Sequence, residues 1–381
     1  MKDKISVAYV DTYEYERLRG AVLALLEPLG GISAFVGPGE RVLLKPNMLA
    51  ARAPALAVTT HPSLVRVVAE LVREAGATVL VGDSPGIDGF QRVAERSGIG
   101  RAAREGGAQL VPFDDVVELS GSGTFRRIEL ARVYWEADKI INLPKLKTHE
   151  MMTMTCAVKN LFGAVVGTEK AGWHLKAGTS RQQFAQLMLE IYLLKKPTLN
   201  IVDAIVAMEG DGPGSGAPVN LNALIAGVNP VAVDLIAARL AGIPPELLHI
   251  EREAERMGLD GVHREEVDVV GAALEMFGSN TFRLPKGLDV QFGLPGFLKK
   301  GLRRHLTARP VAHKQRCVLC GICRDTCPPQ VITIQNSALS IDEGRCIRCW
   351  CCRELCPKDA MEVRRGVLMK LLTMLRERRS R

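Results

Sequence analysis

Cys317, Cys320, Cys323 and Cys327 recur as Cys346, Cys349, Cys352 and Cys356, each displaced by 29 residues, and Pro328 and Pro357 close the two runs. Nine of the ten cysteines lie between Cys317 and Cys356, a crowding that belongs to metal chemistry and not to a disulfide framework. Each run reads CxxCxxCxxxCP. Three thiolates at two-residue gaps can hold three corners of one cubane, and the fourth, carried off on a helical turn, reaches the neighbouring cluster. This pairs Cys317, Cys320, Cys323 and Cys356 around one 4Fe-4S cluster and Cys346, Cys349, Cys352 and Cys327 around another. Zinc also uses paired CxxC units, but it explains neither the third cysteine nor the CP endings. Between the runs, VITIQ and ALSID flank Asn336 and Ser337 as a hairpin.

Residues 311–364, with PPQVITI and PKDAMEV after the runs, resemble the bacterial dicluster ferredoxins. The resemblance implies a small α+β module and one-electron transfer. Two residues depart from it. Trp350 stands where such ferredoxins have a small residue, which we read as packing. Cys351 adds a ninth thiol beside Cys352, either an inert neighbour or an alternative ligand.

The first 275 or so residues alternate short Val- and Ile-rich runs with segments of helical period, the pattern of an α/β fold with a mainly parallel sheet and helices on both faces. The strands are expected to begin near Ile5, Arg41, Ala77, Lys139, Leu199 and Ala223. Helices are expected over Tyr15–Leu29, His61–Ala75, Arg181–Leu194, Pro230–Leu240 and Pro245–Met257. The chain then divides into an α/β domain (1–277), a basic linker (278–310), the dicluster module (311–364) and a basic amphipathic tail (365–381).

Polar residues collect where the strands end: KPN at Lys45–Asn47, GDSPG at Gly82–Gly86, PKLKTH at Pro144–His149 and EGDGPGSG at Glu209–Gly216. Ligands of open α/β sheets bind outside the carboxyl ends of the strands, so these stretches, read as loops, should share one cleft. Lys45, Lys145, Lys147, His149 and Lys159 would supply cations there, and Asp83, Asp203 and Asp211 acids. That mixture suits a small anionic substrate, phosphate or carboxylate, with Asp or His handling a proton or a divalent ion. Duller readings compete: lone lysines are usually solvated, Asp83 can shape a turn, Cys156 fits a core position, and His174 reads more readily as structural than catalytic. The glycines of Gly210–Gly216 lack the following helix of a dinucleotide loop and read as a tight turn.

KPN, GDSPG, NLPKLKTH, KNLFG at Lys159–Gly163, MEGDGPGSG and GVNPVAVD ending at Asp234 together resemble the family called domain of unknown function 362, over about residues 5–275. The resemblance implies a site built from Lys45, Asn47, Asp83, Lys145, Lys147, His149, Lys159, Asn160 and Asp234. It supplies no substrate.

The net charge of +8 is uneven: residues 296–316 carry seven Lys or Arg and no acid, and residues 364–381 carry seven and one Glu. The terminal stretch could lie on an anionic membrane surface or dock a protein, and basic residues beside the clusters could steer an acidic redox partner. No recognition module or interleaved aromatic pattern accompanies the charge, which argues against nucleic acid. With no apolar run of spanning length and no secretory signal, we expect a cytoplasmic protein, peripheral membrane contact left open. Three function classes follow: an oxidoreductase acting on an anionic substrate, an electron-transfer subunit docked to a partner complex, and a sensory or structural cluster protein. No flavin or nicotinamide motif supports the first.

Overall fold

The computed structural model describes residues 2–364 except 87, 168, 178–179, 279–280 and 286–308. The stretch FLKKGLRRHL and the basic tail therefore lie outside the described residues.

Ten strands form one sheet: β1 (Asp3–Tyr9), β2 (Arg41–Pro46), β3 (Thr78–Val81), β4 (Gln109–Leu110), β7 (Lys139–Leu143), β8 (Lys145–His149), β9 (Thr153–Thr155), β10 (Leu199–Glu209), β11 (Ala217–Gly227) and β12 (Val267–Gly271). The main path runs β12-β1-β11-β10-β7-β2-β3-β4, with β8 pairing β10 and β9 branching from β8. Only β9 and β11 oppose the other strands, so the sheet is mainly parallel. A separate hairpin, β5 (Val116–Ser120) with β6 (Arg127–Ala131), flanks it.

Both faces are buried, which is why the central strands read as continuous apolar runs. In β2, Val42 and Leu44 enter the core beneath the helices Tyr15–Leu26 and Pro62–Glu74, whereas Leu43 enters the core on the opposite face, which also holds Phe184 and Leu187 of Arg181–Leu194. Helix starts follow their local chemistry. His61 accepts the Ser63 N–H with Pro62 at the first position, and Asn229 accepts the Val231 N–H ahead of the helix Pro230–Leu240.

The six expected strands and five expected helices are present, with Tyr15–Leu29 and Pro245–Met257 each divided into an α-helix and a short 3₁₀ turn. One expectation is corrected. PKLKTH is not a loop: Lys145–His149 forms β8, buried along its whole length.

The cysteine module contains β13 (Arg309–Ala312) paired with β16 (Met361–Arg364), and the hairpin β14 (Ile332–Gln335) with β15 (Ala338–Ile341). Asn336 and Ser337, the hairpin's turn, both take positive φ (48° and 58°), as a type I′ turn requires. The 29-residue repeat extends to the backbone. Leu319 and Arg348 (φ 54° and 55°), Gly321 and Trp350 (81° and 65°), and Gln330 and Asp359 (50° and 46°) share left-handed positions. Trp350 thus occupies a position that its counterpart fills with glycine. Its side chain is buried against the α/β core, which holds the strained residue in place. Phe282, in the expected linker, is also buried, and Arg283 pairs with Glu209 at 2.7 Å.

Candidate functional site

Register brings the polar residues of the strands together. Lys45 of β2 lies opposite Asn142 of β7, Asn142 opposite Asn200 of β10, and Asp203 of β10 opposite Lys145 of β8. A chain of amides crosses these strands: Asn47 donates to Asn160 at 2.9 Å, Asn160 to Asn142 at 2.8 Å, and Asn142 to Asn200 at 2.9 Å. Lys147 ends the chain by donating to Asn47 Oδ1 and to the Val58 carbonyl, both at 2.8 Å. The network is buried and its amides are bonded, so it can fix side-chain positions firmly.

Two lysines are neutralised. Lys45 Nζ lies 2.7 Å from Asp83 Oδ1, although not in the alignment of a hydrogen bond, and Asp83 Oδ2 accepts the Met48 N–H. Lys145 donates to Asp203 at 2.7 Å and to the Tyr13 hydroxyl at 3.0 Å, and Tyr13 donates to the other Asp203 oxygen at 2.6 Å. Gly163 must be glycine here, since a Cβ would collide with Asp83 Oδ1 and Lys45 Nζ.

Lys147, Lys159 and Lys170 differ. Among the described residues none of them pairs with a carboxylate: Lys147 has the amide and carbonyl above, Lys170 donates to the Ser84 and Pro85 carbonyls, and Lys159 lies 5.9 Å from the Phe162 ring centroid. Burial lowers the pKa of all three, Lys147 and Lys170 to about 7. These three lysines line one cavity of about 320 Å³ together with Asn47, Asp83, His149, Asn160, Phe162 and His174.

The histidines in that wall are held neutral. His149 was expected as a cation, but burial lowers its pKa to about 4. Its Nδ1 accepts the N–H groups of Met151 and Met152 at 3.0 and 3.1 Å, which puts the ring proton on Nε2. That nitrogen faces Glu354 Oε1 at 3.2 Å, outside the alignment of a hydrogen bond. His174, lowered to about 3 mainly by burial, stacks on Phe184 with 4.3 Å between centroids, and its Nδ1 is buried without a hydrogen-bond partner.

The remaining wall comes from the cysteine module. Cys327, Pro328, Cys351, Glu354 and Leu355 border the cavity. The second repeat is bound to the α/β domain by Trp350, by Arg353 to Glu150 and, at 2.9 Å, to Asp211, and by Ser215 donating to Asp359 at 2.6 Å. The cleft is therefore roofed by the module itself. The eight repeat cysteines are expected in two crossed groups of four. Cys323 is pushed up to about 11 by burial first and then by Cys356, Cys317 and Cys320 around it; Cys352 is raised by burial and by Cys349, Cys346, Cys323 and Cys327. Cys317, Cys320, Cys323 and Cys356 also line a common hollow, a disposition that suits a cubane whose corners are separate irons. Among the described residues no three His, Cys, Asp or Glu side chains converge on a single-ion site.

Of the nine α/β residues expected at the site, Asn47, Asp83, Lys147, His149, Lys159 and Asn160 line the cavity. Lys45 lies directly behind it, paired to Asp83, and Lys145 sits further off in its pair with Asp203. Asp234 is placed elsewhere. It accepts the Ala157 and Val158 N–H groups at 2.6 and 3.1 Å, capping the short helix Ala157–Asn160 that carries Lys159 and Asn160. Lys170, Ser84 and Glu354 were not anticipated. Lys170 stands in no polar cluster of the sequence, and Glu354 lies some two hundred residues from the strands it faces.

A mainly parallel α/β sheet whose carboxyl-end cleft is closed by a cysteine-repeat module defines the class. The chain belongs to the family described as domain of unknown function (DUF362), whose model matches residues 42–239. It is 36% identical over 300 residues to the thylakoid-associated protein sll1697 of Synechocystis sp., covering 78% of this chain and 93% of that one. Among solved structures, it is similar to the lactate racemase apoprotein of Thermoanaerobacterium thermosaccharolyticum (TM-score 0.41, 12% identity, 63% of this chain and 57% of that one). A Thermotoga maritima protein gives a TM-score of 0.37 at 12% identity, covering 66% of this chain and 61% of that one. The chain thus spans less than two thirds of either solved chain. Among the described residues no helix is long and apolar enough to cross a membrane.

Proposed function

We propose that this protein is an iron-sulfur oxidoreductase that exchanges electrons with a small anionic molecule held between its two domains. The observation that carries this reading is the cavity itself: three lysines without carboxylate partners among the described residues stand in a wall shared with Cys327 and Cys351. Cys317, Cys320, Cys323 and Cys356 would hold one 4Fe-4S cluster and Cys346, Cys349, Cys352 and Cys327 the other. When bound, such clusters supply single electrons over a potential range of about −700 to +450 mV. Lys147, Lys159 and Lys170 bind and orient the anion. Burial strengthens that attraction, because few waters compete for the charges. Lys147, with a pKa near 7, is suited to give or take a proton at neutral pH. The docked module excludes bulk water from the anion. Peripheral membrane contact is part of the same reading, and the description of the Synechocystis relative as thylakoid-associated supports it.

The test is anaerobic purification with iron analysis, where two cubanes require about eight irons per chain, followed by reduction and addition of fractionated metabolites while the visible absorbance is recorded. Reoxidation by a small-molecule fraction, lost in Lys159→Met, supports the reading. Reoxidation by protein fractions alone, unchanged in Lys159→Met, overturns it in favour of an electron-transfer subunit.

A further inference from the structure

The two cysteine repeats share a backbone but not a setting. In the second repeat Cys349, Trp350, Cys351, Cys352 and Arg353 are buried, Trp350 against the α/β core and Arg353 in its pair with Glu150. The first repeat is more open: Cys320, the counterpart of Cys349, and Arg324, the counterpart of Arg353, are exposed, Ile322 and Cys323 are half-buried, and Val318, beside Cys317, is 59% exposed, an unusual position for a large apolar side chain. The CP segments divide the same way. Cys327 and Pro328 border the cavity, whereas Pro357 and Lys358 are exposed beside the Cys317–Cys323 loop. Charge is uneven on this outer edge. Its acids are engaged, Glu362 by Arg316, Glu343 by Arg309 and Asp359 by the Ser215 hydroxyl, while Lys314 and Lys358 have no carboxylate partner among the described residues.

We propose that the outward edge formed by Cys317–Cys320 and Cys356–Lys358 is the docking surface for an acidic one-electron carrier protein, which makes the first cysteine group the outer port and the second the inner one. The inference rests on the iron-sulfur reading above. An exposed apolar residue within a rim of uncompensated cations is the anatomy of a small transient interface, and complementary charge fits it to an acidic partner. Position supports it too, since a carrier on this edge leaves the cavity wall untouched.

The experiment is binding of oxidised plant-type ferredoxin, as an acidic carrier probe, to the intact iron-loaded protein by calorimetry, at low salt and at about 0.5 M salt, where surface charges are screened. Measurable binding at low salt, weakened at least about tenfold by high salt and by Lys314→Glu with Lys358→Glu, is expected. Val318→Asp should weaken it by about tenfold as well. Iron content and sulfate binding in the cavity should match the parent in both variants. An iron-loaded parent that does not bind the probe, or binds it with no salt dependence, overturns the proposal, as does an affinity within about twofold of the parent in the charge-reversed variant. A parent that fails to take up iron overturns the underlying iron-sulfur reading instead, so the two failures are distinguishable.

Discussion

Lys147 is buried, held by an amide and a carbonyl, and has no carboxylate partner among the described residues, so its charge is costly unless an anion binds. Burial lowers its pKa from 10.5 to about 7, and Lys170 shares that value. Anion binding must raise both again, and the complex therefore takes up protons. Below pH 7 the lysines are already charged and affinity is at its maximum; above pH 7 each proton taken up weakens binding by about tenfold per pH unit. Sulfate stays a dianion across this range, and its calorimetric affinity should fall above pH 7. In Lys147→Met the slope should be smaller by about one decade per unit. An affinity independent of pH between 6 and 9 would remove these lysines from the anion site. Gly163 makes a second prediction at this scale. A methyl group there meets the Lys45–Asp83 pair, and overpacking beside a buried ion pair should make Gly163→Ala about 1–3 kcal/mol less stable in urea unfolding.

The elements divide between those written in apolar pattern and those written in polar pattern. The strands beginning at Arg41 and Lys139 and the helix Pro62–Glu74 are legible because their cores demand Val, Leu and Ile at fixed periods. β8 is not. In KLKTH, Lys145, Lys147 and His149 alternate with Leu146 and Thr148, a strand's period of two, but one face is polar: Lys145 pairs with Asp203, and Lys147 and His149 line the cavity. Polar residues whose neighbours come from β10, from Asn47 and from Glu354 read locally as loop, since those neighbours lie far away in sequence. Trp350 was legible as packing, but the surface it packs on was not. Its φ of 65° separates two contributions. Both Trp350→Ala and Trp350→Gly lose the buried indole, at a cost of about 3–5 kcal/mol, but glycine recovers about 1 kcal/mol of backbone strain. Trp350→Gly should therefore melt above Trp350→Ala and below the parent. The reverse order of the two variants in thermal unfolding would mean that the left-handed conformation is not imposed by docking.

At the scale of the whole molecule, the family match ends at residue 239, yet Cys327, Cys351 and Glu354 of the cavity wall lie beyond it. Residues 42–239 thus carry the lysines and the amide chain but only part of the enclosure. This is also why the sequence reveals a cleft and a cysteine module separately and not the cavity between them: the join depends on Trp350, Arg353 and Glu354 meeting residues some one hundred and fifty to two hundred positions earlier. Arg353 tests the join directly, since its guanidinium contacts Glu150 and Asp211 on the α/β side. Removing one partner of a buried ion pair costs about 3–5 kcal/mol, enough to leave the module undocked in a substantial fraction of molecules if docking is only moderately stronger than that. In Arg353→Ala we expect faster proteolysis between the domains and sulfate affinity about tenfold lower, because Lys147, Lys159 and Lys170 then face open water where their attraction is screened. Arg353→Lys keeps the charge but cannot present the same fork to two carboxylates, and it should fall between Ala and parent. Unchanged sulfate affinity in an undocked Arg353→Ala protein would mean that the lysines alone make the anion site, and that the module's place over it does not serve anion binding.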